Sequence, residues 1–315
     1  MINRSRGYTL LELFISLSIG LVLVAGVLSV FVGMRTTTTE TTSFGELQEN
    51  GRFAMSLLTD DISKQDFWGD YTGTLDFASL QSVPASPGVE CTGLGINNGT
   101  FPVAAGSFRT LWGATVINSS MMGCINDAKL TSDLIQLKRV VSNPVTVPSA
   151  NNFYLATNMS DGAIFNGAGG IPAVGNSRVW EYQHHIYYVK EESQGNNKVP
   201  VLMQGRLTTN MTFDPIIDGI ELIRFMYGVD STGDGIVNAF ISADNMTEEY
   251  WNNADNSNIL AIKIYVLARS VLPDHKYDNN NTYQIGDVQL VFNDNYRRLL
   301  LSSTVTLYNA GVDSW

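Results

Sequence analysis

Cysteine and histidine are scarce in this chain, with two and three respectively among 315 residues. Neither cysteine belongs to a C-x-x-C pair, which argues against a thiolate metal site. His184 and His185 are adjacent in a strand-like run, so their side chains should point to opposite faces and cannot share a metal; packing and surface roles account for them. His275 lies in a loop beside Asp274 and Asp278. No G-x-S-x-G, H-E-x-x-H, Walker or dinucleotide fingerprint occurs, and no nucleophile–base pair stands out, so enzymatic activity is not expected. Basic residues are also few, 19 against 30 acidic ones, for a formal charge of −11. An acidic body argues against nonspecific nucleic-acid binding, which depends on cations neutralising phosphates. Proline is missing before Pro84, and charge is missing from Leu13 to Met34.

That uncharged stretch is the strongest feature present. At about 1.5 Å per helical residue it is roughly long enough to cross a ~30 Å hydrocarbon core. Glu12 sits at its edge, where an unpaired carboxylate is expensive. Arg4 and Arg6 precede it, a basic leader that favours the cytoplasmic side. A cleavable secretory signal has a shorter apolar region and a small-residue cutting site after it. Here the small residue, Gly7, comes before the apolar run. An ordinary signal anchor with an incidental glutamate is the plain alternative.

Past Met34, the threonine-rich segment Thr36–Thr42 is a weak helix former and is expected to fray or bend. Phe44, Leu47, Met55, Leu58 and Ile62 then recur at helical spacing, with Gln48, Glu49, Asn50, Asp60 and Asp61 filling much of the other side. Arg52 and Asp61 could pair on or near this helix, an exposed pair usually worth less than ~1 kcal/mol. Residues 68–132 are rich in glycine, serine and asparagine and read as loops and short strands. Strand-like runs follow at Asp133–Val141, Val179–Lys190, Val199–Leu207, Ile220–Val229, Asn258–Val271, Asp287–Phe292 and Arg298–Tyr308. In the fifth, Ile262, Ile264, Val266 and Ala268 alternate with Lys263, Tyr265 and Arg269, marking one buried face. The plan is α+β and antiparallel, with long surface loops.

The leader, Gly7, Tyr8, then Thr9-Leu10-Leu11-Glu12 and the apolar run closely resemble the class III signal of type IV prepilins and pseudopilins. The stretch from Leu47 to Ile62, LQENGRFAMSLLTDDI, resembles the segment after the anchor in the PilW family of minor pilins. The resemblance extends to Ile217-Asp218-Gly219-Ile220-Glu221, to Tyr227-Gly228-Val229-Asp230 with DSTGDGIVN, and to RRLLLSSTVTLYN at the end. Residues 68–180 contribute little to it. It implies a leader at 1–7, a transmembrane and assembly helix at 8–34, an amphipathic continuation at 35–66, and a head at 67–315. The implied fold is pilin-like, a long helix packed on an antiparallel sheet. A membrane peptidase would cut after Gly7 and Tyr8 would be N-methylated. Glu12 would set subunit stagger by meeting a neighbour's terminal amine. Many pilins carry a helix-breaking proline in the anchor, and this chain departs from that pattern.

The implied function is that of a minor pilin helping to initiate type IV pilus assembly in a priming or tip complex. Its partners would be other minor pilins and the major pilin, the prepilin peptidase, the inner-membrane assembly platform and, at the tip, an adhesin. The chain would cross the inner membrane once with its head in the periplasm, and would be extracellular in the pilus. Two alternatives stay open: a surface adhesin or ligand-binding head, and a minor pseudopilin of a type II secretion system. A head facing an oxidising compartment makes a Cys91–Cys124 disulfide the natural reading, with two free thiols as the alternative. Finally, Asp230, Thr232, Asp234, Ile236 and Asn238 approximate the first part of a calcium loop, with Gly235 at its sharp turn. The twelfth position is Ile241, so the bidentate glutamate is absent, and a solvated glycine-rich hairpin is the favoured reading. Calcium is the one cofactor suggested.

Overall fold

Thr9 and Glu12 open the first helix with a reciprocal cap. The Thr9 N–H and hydroxyl donate to Glu12 Oε2 at 2.9 and 3.0 Å, and the Glu12 N–H donates to Thr9 Oγ1 at 3.2 Å. This capping box satisfies backbone donors that a helix start leaves open. The computed structural model describes residues 7–195 and 197–309, so the leader residues before Gly7, with Arg4 and Arg6, lie outside the described residues. Helix α1 spans Leu10–Ser63, 54 residues, and is apolar enough in its first part to cross a membrane by length and composition. The threonine segment does not fray: the backbone stays helical through residues 36–42, and the Thr38 hydroxyl bonds back to Met34 O at 2.9 Å. Such back-bonding gives a mid-helix threonine hydroxyl a local partner.

The chain divides into two compact units after Glu46. The first holds α1 as far as Glu46, the apolar run and the threonine-rich segment after it. The second holds the rest of α1 and all the strands. Its early strands are β1 (Leu80–Ser82), β2 (Leu111–Thr115), β3 (Asp133–Pro144), β4 (Phe153–Thr157) and β5 (Gly162–Asn166). The middle strands are β6 (Arg178–Gln194), β7 (Asn197–Leu207), β8 (Met211–Asp218), β9 (Ile220–Asp230) and β10 (Ala239–Ser242). After the single-turn helix α2 (Glu248–Trp251) come β11 (Asn258–Arg269), β12 (Thr282–Ile285), β13 (Val288–Val291) and β14 (Arg298–Thr306).

An eight-stranded sheet runs β1-β5-β4-β6-β3-β2, with β7 paired to the later part of β6 and β8 added to β7. A four-stranded sheet runs β10-β9-β11-β14, and β12–β13 is a separate hairpin. All pairings are antiparallel except β1–β5. The architecture is α+β with an N-terminal helix. The seven strand-like runs of the sequence fall on β3, β6, β7, β9, β11, β13 and β14.

The main core collects residues of both large sheets and the second half of α1. Leu47, Ala54, Leu58 and Ile62 are buried there with Ile223, Phe225, Ile262, Ile264 and Val266. Gly51 lies on the same helix stripe, and a Cβ there would meet Leu301 Cδ1 at 2.5 Å. The helix therefore approaches β14 closely because this position has no side chain. Phe44, expected on the stripe, is half exposed. The predicted alternation of β11 holds for Ile262, Ile264, Val266 and Ala268. Its other face is covered too, since Leu267 is buried in a small cluster with Leu222 and Ile285 that Tyr265 also joins. A second core on the far side of the large sheet is aromatic, with Trp68, Phe101, Phe108, Phe153, Trp180 and Tyr182. Cys91 and Cys124 are joined by a disulfide that closes a 33-residue separation.

Candidate functional site

Asp61, on the last turn of α1, gathers the densest polar contacts on the helix. Its Oδ1 accepts from Arg139 Nε at 2.8 Å and lies 2.7 Å from Arg139 Nη2. Its Oδ2 is 2.6 Å from His185 Nδ1 and accepts from the Tyr187 hydroxyl at 2.8 Å. Gln204 then donates to the Tyr187 oxygen at 2.6 Å. Arg139 lies on β3 and His185 and Tyr187 on β6, so one carboxylate ties the helix to two strands, and Gln204 of β7 joins through Tyr187. Burial pushes the Asp61 carboxyl up, but the hydrogen bond and attraction of His185, the Arg139 guanidinium and the Tyr187 hydroxyl outweigh it, and it sits well below the carboxylate range. The expected Arg52–Asp61 pair is therefore corrected. Arg52 is exposed, while Asp61 faces the sheet.

The two histidines do point opposite ways, but neither is a surface residue. His185 faces Asp61, whereas fully buried His184 sits 3.3 Å from Thr100 Oγ1. Burial, then Lys138 and His185, pushes the His184 imidazole far down, so it is neutral. Lys138 is also fully buried and donates to Arg109 O at 2.6 Å. Asp274, read with His275, instead accepts from Arg297 at 2.9 Å.

Two of the quoted C-terminal segments meet in space. Glu221 of the IDGIE run, on β9, accepts from Arg298 of RRLLL, on β14, at 2.5 and 3.0 Å. Arg298 also donates twice to Asp294 at 2.7 Å. The glycine between the two parts of that run has φ +81°, and a Cβ on it would stand 2.8 Å from Arg269 O. Only glycine fits that turn without strain.

The Asp230 loop is shaped by its own backbone. Asp230 Oδ1 accepts from the N–H groups of Thr232 and Gly233 at 2.9 and 2.8 Å, and Oδ2 accepts from Gly235 at 2.7 Å. Burial raises the carboxyl, and these donors outweigh it and hold it below the usual range. Asn238 Oδ1 accepts from Ser231 N at 2.7 Å, and Asp234 Oδ1 from Ile236 N at 3.0 Å. The loop thus brings Asp230 and Asn238 together over one turn and leaves Asp234 outward. Asp244, the next acid after the loop in sequence, faces elsewhere and accepts from Thr115 Oγ1 at 2.9 Å. Among the described residues no three His, Cys, Asp or Glu side chains group closely enough to hold a metal ion by themselves. Carboxylate oxygens keep a second lone pair, so the loop's hydrogen bonds shape it without filling every ligand position.

At the N-terminus, Tyr8 is 90% exposed and Glu12 is engaged in its cap. The family model PilW, described as type IV pilus-assembly protein W, matches residues 186–309. The match covers β7 to β14 and part of β6, including Glu221, Arg298 and the Asp230 loop. No curated protein and no solved structure matches the chain.

Proposed function

We propose that this chain, which matches the PilW family model over residues 186–309, acts as a minor pilin in type IV pilus assembly. One observation carries the reading: a helix apolar enough to cross a membrane, opening on Gly7, Tyr8 and Glu12, stands in one chain with a PilW-type strand region. In this account Gly7 is the cutting position, Tyr8 the methylated terminus and Glu12 the registry group. A carboxylate among packed apolar helices needs a cation, and a neighbour's terminal amine supplies one. The minor pilin joins others, and the major pilin, in a priming or tip complex at the inner-membrane platform, with its head in the periplasm before assembly and outside the cell after it. The experiment is intact-mass analysis of the membrane-recovered chain with and without the prepilin peptidase.

Calcium at the Asp230–Asn238 loop is a separate proposal about the same head. If the loop binds it, the melting temperature of the purified chain rises in calcium at about 1 mM, by mass action on the folded state. The same rise must be lost in Asp230→Asn, and an unchanged melting temperature in calcium refutes the site.

A further inference from the structure

A cleft of about 410 Å³ opens between the end of α1, the loop after it, the α2 region and the end of the last strand. That volume lies within the ~300–1,000 Å³ range of small-molecule sites. Five aromatic side chains, Phe67, Trp68, Tyr71, Phe108 and Trp251, line it together with aliphatic Leu75, Leu111, Ile259 and Leu307. Phe67 and Tyr71 are half-buried, so part of each ring faces the opening, while Trp68 is held from behind by stacking on Tyr182 at 5.9 Å.

The polar lining consists of amides and hydroxyls. Several amides are fixed on one side and open on the other. Gln65 Oε1 accepts from Thr110, and Asn252 Oδ1 accepts from Arg109 Nε at 2.8 Å. Asn253 Oδ1 accepts from Ile259 N, and Asn309 Nδ2 donates to Gln65 O at 2.9 Å. The opposite polar atom of each has no partner among the described residues. Gln65 is only 3% exposed, so its side chain is fixed in the wall of the cleft.

The lining contains no Lys, Arg or His. Its one carboxylate, Asp66, already accepts from Trp68 Nε1 at 2.8 Å. A phosphate or sulfate would find no cation here, and a cationic ligand no free carboxylate. Amides offer a donor and an acceptor each, which suits neutral hydroxyl groups. Aromatic faces suit the C–H face of a pyranose ring, which is apolar while its edge is polar.

We propose that this cleft binds a neutral saccharide. The proposal reaches beyond pilus assembly and does not depend on it. It is tested on the full chain in a detergent without a sugar headgroup, by saturation-transfer NMR with maltotetraose, cellotetraose and chitotetraose. At least one is expected to show transfer to its ring protons, with a dissociation constant of about 1 mM. Tyr71→Ala and Asn309→Ala should each weaken it about tenfold, through a lost stacking face and a lost acceptor. Melting temperatures of both variants separate lost binding from lost folding, and Asn309, at the edge of the cleft, serves if Tyr71→Ala does not fold. No transfer from any of the three sugars, transfer that survives both substitutions, or transfer from adenosine alone overturns the proposal.

Discussion

Replacing Glu12 by alanine is expected to abolish surface pili in a strain whose only copy of the chain carries the substitution, while the head stays folded. The effect has two separable parts. Alanine removes the carboxylate half of the capping box with Thr9 and keeps the backbone bond to Thr9 Oγ1, so it costs less than the ~0.5–2 kcal/mol of losing the N-cap residue itself. It also removes the one charge at the start of an apolar run, where registry with a neighbour's amine would be set. Glu12→Gln distinguishes them, since glutamine can still serve in a capping box but carries no charge. If the charge sets stagger, both variants fail to make pili. If only the cap matters, Glu12→Gln makes them normally. Pili counted by electron microscopy decide this, and normal piliation with Glu12→Ala refutes the registry role.

The largest loss of stability is expected from Asp61→Ala. It strands the Arg139 guanidinium, His185 and the Tyr187 hydroxyl in a buried site. Breaking a buried pair by removing one partner costs about 3–5 kcal/mol. For a domain of this size that corresponds to a melting temperature lower by roughly 6–20 °C. The same residue sets an acid limb. Its folded carboxyl lies below the unfolded value of about 3.9, so its contribution is complete above that pH and is lost as the pH falls through it towards the folded value. Wild-type stability should therefore drop on acidification below about pH 4, and Asp61→Asn, already destabilised, should drop less. Thermal melts across pH 2–7 on both proteins test this, and parallel acid limbs contradict it.

The anchor and the C-terminal strands were legible because their signals are local. A run without charge reads as a spanning helix, and the alternation of Ile262, Ile264 and Val266 reads as a strand. Asp61 was misplaced for the opposite reason. It stands beside exposed Asp60 in a polar doublet, and its partners Arg139 and His185 are 78 and 124 residues away. No helical spacing reveals that it faces inward. β4 and β5 went unread because each has five residues, nearly all buried. Such short runs do not alternate, so periodicity cannot identify them. The aromatic cleft was hidden likewise, since Trp68, Phe108 and Trp251 come from loop-rich segments far apart in sequence. Glu221 and Arg298 were noticed only as parts of resembling motifs, and the fold shows them as one buried ion pair between β9 and β14.

The claim that this chain enters a pilus as a processed pilin is tested most directly by the intact mass of the protein recovered from membranes. With the prepilin peptidase present, the account predicts a chain that has lost residues 1–7 and carries one methyl group on Tyr8, and without the peptidase a chain that keeps the leader. An unprocessed chain beginning at Met1 in both samples would contradict it and leave a signal-anchored head instead.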